Sequence, residues 1–257
     1  MKITFEIYYH TRWGESLFLS GNIDELGANE ENRAVMMDYQ GDGLWKYTME
    51  LPASAKKFHY EYLVKSGEGI RREWGSPHSF SPGRNDGEYR LVDRWRDVPA
   101  DMPFYSSAFI QGIFFRQHAD SVVETIEPGT LTVKVDASQL RPDERLVMVG
   151  DCPELGDWDV LKAPLLNDSA FPEWQITLDG RQLKFPFEYK FVIVRTHQRE
   201  VVAWETGENR ICREKPQNPS EAVVVSGLRF NGSESQWRGA GTAIPVFSLR
   251  TDYGLSL

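Results

Sequence analysis

The amino-acid sequence predicts an all-β protein built from two tandem β-sandwich domains. Its 257 residues suit two domains of ordinary size better than one. Many short segments alternate apolar and polar residues with the period of two that β-strands require. The breaks between these segments carry Gly, Pro, Asn and Asp, which turns favour, and hardly any stretch shows helical periodicity.

The alternating segments are rich in β-branched and aromatic residues, as strands are. In the first half they read IYYHTRWGESLFLSG, WKYTMEL, FHYEYLV and GEYRLVDRW. In the second half they read LTVKVDA, RLVMVG, WQITLDG, FEYKFVIV and EAVVVSG. Several short strands per roughly hundred residues are typical of an immunoglobulin-like antiparallel sandwich, so we predict one in each half.

An internal repeat supports the division into two domains. LFLSGNIDELGAN begins at Leu17 and LVMVGDCPELGDW begins at Leu146, an offset of 129 residues. The aligned tryptophans are Trp45 with Trp174 and, after one further residue of offset, Trp74 with Trp204. A repeat sustained over such a length indicates duplicated domains.

The repeat and the composition of its flanks predict four regions. Residues 1–98 form the first domain and residues 129–232 form the second. We expect a linker at residues 99–128, and residues 233–257 follow the second domain.

The amino-acid composition restricts the classes of partner that this protein is expected to bind. A net charge of −9 disfavours a nucleic acid or an anionic membrane surface, since both attract Lys and Arg, whereas a neutral polymer is permitted. Two cysteines and no long apolar run at the N-terminus favour a reducing compartment, and we expect a cytoplasmic protein. The five histidines are scattered and no metal-binding spacing occurs, so we expect no metal and no cofactor.

Three motifs in the second repeat resemble the starch-binding domains called family 20 carbohydrate-binding modules. They are G-x-x-x-x-LGDW at Gly150–Trp158, FEYKF at Phe187–Phe191 and W-E-x-x-x-N-R at Trp204–Arg210. The resemblance covers nearly all of residues 130–230 and, more loosely, residues 1–98. It implies an α-glucan partner, either a polysaccharide or a maltooligosaccharide.

The resemblance also implies a binding site in the second repeat. Trp158 and Trp204 would form an exposed platform for a curved α-1,4-glucan chain. Lys190, Glu205 and Asn209 would supply hydrogen bonds to the sugar hydroxyls.

Other tryptophans are predicted to lie in the cores. Trp45 and Trp174 precede alternating strand residues, and Trp95 closes a strand. Trp158 follows a Gly-Asp turn and Trp204 stands beside charged residues, which favours exposure of this pair instead.

The first repeat departs from the platform motif. Asn29 replaces the first tryptophan, Glu61 replaces the lysine and Ser79 stands where the second repeat has Asn209. Of this set only Trp74 remains, so we predict that the first repeat lacks a working platform, while Trp74 itself is kept among its predicted glucan-binding residues.

Members of the same family often carry a second site on the opposite side of the sandwich. Its marks, an aromatic before G-E and an Asp–Tyr pair, match Trp13, Asp38 and Tyr39 of the first repeat. The second repeat has Pro142 in the corresponding region and no tyrosine near Asp168. We therefore predict that the first repeat binds with Trp13, Asp38 and Tyr39, while an ordinary half-buried strand residue is the alternative for Trp13.

The C-terminal segment A-x-P-V-F-S-L-R, from Ala243, resembles the opening of the catalytic domain in glycoside hydrolase family 77, the 4-α-glucanotransferases. We therefore expect the N-terminal portion of a longer retaining transglycosylase, with a catalytic domain C-terminal in the same polypeptide. The aspartate nucleophile and glutamate acid/base of that family would lie beyond Leu257, so no catalytic residue is predicted here.

Three functions stay open on the sequence alone. The first is a targeting portion of a 4-α-glucanotransferase that holds starch, glycogen or maltodextrin near a catalytic domain. The second is a non-enzymatic glucan-binding scaffold. The third is a pair of immunoglobulin-like protein-interaction domains without a sugar site, because a sandwich fold serves many functions.

Overall fold

A computed structural model describes residues 1–52, 57–83, 87–97 and 125–232. The first-repeat strands are β1 (Lys2–Tyr8), β2 (Ser16–Gly21), β3 (Val35–Met36), β4 (Asp38–Gly41), β5 (Leu44–Glu50), β6 (Phe58–Ser66), β7 (Gly69–Arg72), β8 (His78–Phe80) and β9 (Glu88–Arg94). The second-repeat strands are β10 (Thr130–Asp136), β11 (Glu144–Gly150), β12 (Asn167–Ala170), β13 (Glu173–Asp179), β14 (Phe187–Arg195), β15 (Val201–Trp204), β16 (Arg210–Cys212) and β17 (Glu221–Arg229). Short 3-10 turns supplement them at Asp24–Leu26, Glu31–Arg33 and Pro153–Leu155.

The strands form three sheets. One eight-stranded sheet runs through both repeats in the order β12-β13-β10-β17-β9-β1-β5-β4. In the first repeat a second sheet, β3-β2-β6-β7 with β8 beside β6, packs on it. In the second repeat the corresponding sheet is β11-β14-β15, with β16 beside β14. Each repeat is therefore a β-sandwich, and the two sandwiches share one sheet.

Both cores follow the strand alternation that the sequence predicts. Trp45, Trp174 and Trp95 are all buried, which confirms their expected place in the cores. The indole nitrogen of Trp45 donates to the carbonyl of Tyr9 at 3.0 Å, and that of Trp174 donates to the carbonyl of Ala137 at 3.3 Å. Each buried indole thus keeps a partner for its polar atom.

The predicted all-β sandwich class is confirmed, with one difference. Three pairings in the shared sheet are parallel, namely β1 with β9, β10 with β17, and β9 with β17. Parallel neighbours need a crossover connection, which the second sheet of each repeat supplies. The other strand pairs are antiparallel, as expected.

Two predicted regions lie wholly or mostly outside the described residues. Residues 233–257 are outside them, and so is the predicted linker up to residue 124. Ile126, near the end of the predicted linker, is buried in the first-repeat core and forms an isolated β-bridge with Pro82.

The described residues offer neither a membrane-spanning helix nor a metal-binding cluster. No helix there has the length and hydrophobicity that a membrane span needs. The same ranges hold no cluster of three or more His, Cys, Asp or Glu side chains arranged to bind a metal ion.

Candidate functional site

The outer face of the β11-β14-β15 sheet carries its own small apolar cluster. Residues at alternate positions of β14, such as Phe191 and Ile193, enter the second-repeat core. The intervening Val192 and Val194 project to the other face, because neighbours on a strand point to opposite sides. We call the set on this face the outer cluster; it consists of Val147, Val149, Val160, Ala163, Val192 and Val194.

Trp158 covers part of the outer cluster. It lies in the turn after β11, half-buried, and packs against these aliphatic side chains. Its backbone nitrogen donates to the carbonyl of Gly150 at 2.7 Å. Its φ is +65°, in the left-handed region that a bulky side chain rarely adopts. The turn therefore holds this indole in place at some cost in backbone energy.

Trp204 borders the same cluster from the other side. It pairs with Val192 across β14 and β15, and directly opposed residues project to the same face of a sheet. Its side chain is 42% exposed. The structure thus brings Trp158 and Trp204 to one outer face, with aliphatic side chains beneath them.

Lys190 lies on this face as well, two residues before Val192 on β14. Its ammonium donates to the carbonyls of Glu205 at 3.1 Å and Gly207 at 2.6 Å. An ammonium group has three donors, so these bonds hold the loop after Trp204 and use two of the three.

Glu205 does not have the predicted role. It is only 3% exposed, and its carboxylate accepts from Arg210 Nε at 3.0 Å. It also accepts from the backbone nitrogens of Phe191 at 3.3 Å and Asn231 at 3.2 Å. A carboxylate enclosed in this way cannot meet a sugar at the surface, which corrects the prediction of a direct hydrogen bond from Glu205.

The Glu205–Arg210 ion pair instead fixes the loop that carries the exposed polar groups. Arg210 is also buried and donates to the carbonyls of Arg229 at 2.8 Å and Gly232 at 3.0 Å. Asn209, just before it, is exposed, and its amide donates to Glu188 at 2.8 Å. The loop therefore presents Asn209 beside Glu188 of β14, the strand with which Trp204 pairs. Arg210 is the residue at this site that the sequence prediction missed.

The strand register shows which first-repeat residues occupy the same places. Leu63 pairs with Arg72, as Val192 pairs with Trp204, and Tyr60 pairs with His78. The repeats are thus 132 residues apart after β6, not 130. Arg72 is the counterpart of Trp204, and the predicted matching of Trp74 with Trp204 is wrong.

Trp74 is half-buried, and its backbone nitrogen donates to the carbonyl of Arg96 at 2.8 Å. It follows the counterpart of Trp204 by two residues, so its own counterpart in the second repeat is Thr206. Ser79 is likewise displaced from the place of Asn209, which Pro77 takes in the corrected alignment. The predicted glucan contact of Trp74 therefore has no support in the strand register.

Charged side chains occupy the platform surface of the first repeat. Arg72 forms ion pairs with both Glu61 and Glu31. Glu61 stands at the place of Lys190, and Asn29 keeps the left-handed backbone of Trp158, with a φ of +63°. The turn geometry has been retained while the two indoles are absent.

Glu73 is the counterpart of Glu205 and lies equally deep. Its carboxylate contacts His78 Nε2 at 3.0 Å and Arg96 Nη2 at 3.0 Å. Burial alone would raise the pKa of Glu73, but the charges and hydrogen bonds of His78 and Arg96 outweigh it and lower the pKa to about 2. In both repeats, therefore, a buried glutamate contacts a basic side chain that lies five residues further along the chain.

The predicted second site of the first repeat lies at the edge of the shared sheet. Trp13 is fully exposed, which excludes the half-buried alternative for it. Tyr39 is 57% exposed on edge strand β4, and its ring centroid lies 5.1 Å from that of the buried Trp45. The Tyr39 hydroxyl accepts from the backbone nitrogen of Gly43 at 3.2 Å.

The loop that carries Trp13 runs against the β4–β5 turn. The backbone nitrogen of Tyr9, at the start of this loop, donates to the carbonyl of Gly43 at 2.7 Å. Trp13 and Tyr39 therefore belong to one corner of the molecule. Asp38 is exposed but pairs with Lys46, whereas Tyr39 pairs with Trp45, so the two side chains point to opposite faces of β4.

The second repeat has a cavity where the first has this corner. It measures about 210 Å³, and its lining residues are Leu140, Arg141, Pro142, Glu144, Arg145, Asp168, Phe171 and Trp174. Pro142 and Asp168 are the residues that the sequence aligns with the aromatic corner of the first repeat. The two repeats thus differ at both candidate sites.

Two β-sandwiches, one of which holds two indoles over an outer sheet face, fit the class of carbohydrate-binding proteins. A family profile described as "Starch binding domain" matches residues 1–83 and 130–223. This match covers more than half of the chain. The chain belongs to the starch-binding-domain family, and both repeats are members.

Individual relatives have also been identified. The chain is 27% identical over 276 aligned positions to "4-alpha-glucanotransferase DPE2" of Oryza sativa subsp. japonica, covering 99% of this chain and 28% of that protein. It is 34% identical over 71 residues to "AA13 family lytic polysaccharide monooxygenase A" of Aspergillus terreus, covering 26% of this chain and 18% of that protein. The chain therefore spans less than a third of the length of either relative.

Among solved structures, the chain is similar to the family 20 module of the maltotetraose-forming amylase from Pseudomonas saccharophila STB07. That likeness has 19% identity and a TM-score of 0.31, and it covers 37% of this chain and 98% of the other.

Proposed function

We propose that this chain binds α-1,4-glucan chiefly through Trp158 and Trp204, with a second site around Trp13 and Tyr39. The single observation that carries the proposal is the placement of Trp158 and Trp204 over the outer cluster, on a surface-facing side of the second repeat. Membership in a family of starch-binding domains supports the choice of ligand.

The chemistry of this surface suits a glucose polymer. One face of a glucose ring is rich in C–H bonds and can lie on an indole without leaving a polar group unpaired. The hydroxyls at the rim then need partners, for which Lys190 and Asn209 lie on the same face or loop. Two indoles set apart across a twisted sheet suit a curved chain better than a flat one.

The expected affinity follows from the area covered. Each stacked indole removes roughly 100 Å² of its own surface and as much of the sugar from water, or about 5 kcal/mol. Two indoles give about 10 kcal/mol, from which association costs of at least about 4 kcal/mol are deducted. The remaining 4–6 kcal/mol, roughly, corresponds to dissociation constants from millimolar to tens of micromolar.

We further propose that this portion targets a 4-α-glucanotransferase to its polysaccharide. Its support is the similarity to the rice glucanotransferase along 99% of this chain, which leaves most of that relative unmatched. A catalytic domain C-terminal in the same polypeptide would then perform the transfer, with the retaining two-carboxylate mechanism of glycoside hydrolase family 77.

A cytoplasmic location is also proposed. Cys152 and Cys212 are both free and buried, as suits a compartment that keeps thiols reduced. Imaging of the fluorescently tagged full-length protein would test it, and accumulation inside a secretory compartment would oppose it.

Calorimetric titration with maltoheptaose tests the platform. The Trp204→Ala variant should lose measurable binding at this site, because half of the stacking surface, or about 5 kcal/mol, is lost. Tyr8→Ala is a matched control, since it removes another exposed aromatic side chain from a strand elsewhere. Equal affinity of the wild type and Trp204→Ala for this site would refute the platform.

A further inference from the structure

The two repeats are joined by a continuous seam of backbone hydrogen bonds. Strand β9 pairs in parallel with β17, so that residues 88–93 stand opposite residues 221–226. Each of these strands is also paired on its other side, β9 with β1 and β17 with β10. Neither strand is therefore an edge strand, and the two sandwiches are joined through the sheet itself as well as by the linker.

The side chains of the seam show how the sandwiches are arranged. Successive residues of both strands alternate between the two cores, as a pleated sheet requires. Those in the first-repeat core are Tyr89, Leu91, Ala222 and Val224, and those in the second-repeat core are Val92, Val223 and Val225. The two cores therefore lie on opposite faces of the shared sheet, and so do the two smaller sheets that cover them.

Buried polar contacts lock this arrangement on one face. Asp93, on β9, accepts hydrogen bonds from the hydroxyls of Tyr60 at 2.9 Å and Tyr62 at 2.6 Å, and also from Ser226 of the second repeat. His78 Nδ1 lies 3.0 Å from the same Ser226 hydroxyl.

Further contacts between the repeats surround this group. The ammonium of Lys134 donates to the carbonyl of Ser79 at 3.0 Å, and Arg90 Nε donates to Glu221 at 3.2 Å. Among the described residues, β9 and β17 pair with each other and each contributes side chains to both cores, so we expect the two repeats to move as one rigid unit.

The candidate sites lie far apart on this body. Tyr39 is on edge strand β4, which is four strand spacings from β17, or about 19 Å. Its contact with Trp45 places it on the side of the first-repeat core. Trp158 and Trp204 face outward from the smaller sheet of the second repeat, a further layer of about 10 Å on the other side.

We propose that the two-repeat unit is a rigid cross-linker of glucan. It holds two separate chains, or two branches of one polymer, on opposite faces of the shared sheet. It does not clamp one short linear chain at both sites, because the shared sheet and a sandwich layer stand between them. This inference rests on the proposed function, including the site around Trp13 and Tyr39.

Light scattering with glycogen particles is the first test. The wild-type chain should link particles and raise the scattering, with a maximum near equivalence and a decline at excess protein. Trp13→Ala and Trp204→Ala should each bind particles at the remaining site and lower the rise at least about fivefold. A rise that survives in both single-site variants would overturn the proposal.

Chain length is the second test, since a hinged pair of sites could also link particles. Titrations compare maltoheptaose with a linear maltooligosaccharide of about 20 glucose units. The rigid arrangement predicts about two sites per chain and per-site affinities within about threefold of each other. A clamp would tighten binding of the longer chain by about a hundredfold or more, and Trp13→Ala would abolish that gain.

The outcomes separate the two proposals. Absence of maltoheptaose binding by the wild type would refute the proposed function itself. Binding at one site only, unaffected by Trp13→Ala, would refute the cross-linker and leave the platform intact.

Discussion

Replacing Arg210 with methionine should destabilise the protein by about 3–5 kcal/mol. The variant leaves the Glu205 carboxylate at 3% exposure without its charged partner. It also removes the donors that Arg210 gives to the carbonyls of Arg229 and Gly232. The cost comes mostly from the buried, uncompensated charge.

Urea unfolding at neutral pH, followed by circular dichroism, measures this loss. For comparison, Arg33→Met breaks a surface pair with Glu30, for which about 0–1 kcal/mol is expected. The double variant Glu205→Met/Arg210→Met should recover part of the stability, because apolar side chains of similar volume often replace a buried pair without loss. An Arg210→Met midpoint as close to the wild type as that of Arg33→Met would refute the structural role given to this pair.

Three further predictions concern other parts of the molecule. The folded-state pKa of Glu73, about 2, lies below its usual value of about 4.5, so its contribution to stability is complete above pH 4.5 and is lost as the pH falls towards 2. As the pH falls from 4.5 to 2, the urea midpoint of Glu73→Gln should therefore decrease less steeply than that of the wild type. Equal slopes for the two proteins would contradict the low pKa of Glu73. Burial raises the pKa of the Cys152 thiol to about 11 and that of the Cys212 thiol further, so a thiol-specific reagent at pH 8 should label both only in denaturant. Labelling of the native protein at the same rate would oppose this. Replacing Asn29 and Arg72 together with tryptophan should add one maltoheptaose site, and an unchanged stoichiometry would show that the register alone does not define the platform.

Much of the fold was predictable because alternation reports directly on burial. The cores around Trp45 and Trp174 follow from the period of two and from the repeat. The parallel seam was not predicted. Its one sequence signal is the nearly unbroken apolar run of EAVVVSGLR in β17, which is typical of a strand buried on both faces.

The candidate site was only partly predictable, for two physical reasons. The hairpin between β6 and β7 is three residues shorter than that between β14 and β15, so alignment of tryptophan with tryptophan mistook Trp74 for the counterpart of Trp204. The burial of Glu205 depends on Arg210, and a charged residue in a polar stretch gives no local sign that it points inward. The placement of Trp158 and Trp204 on one face agrees with the sequence prediction, and their contact with glucan is the prediction that the titration tests.

The seam also bears on how this pair of repeats can evolve. A chain that lost one repeat would present β9 or β17 as a long, unprotected edge with apolar side chains on both faces, which invites aggregation. Neither copy can be deleted or shuffled as an independent cassette without new charges or a bulge on that strand. Once the two repeats share this sheet, selection therefore acts on them as a single folding unit.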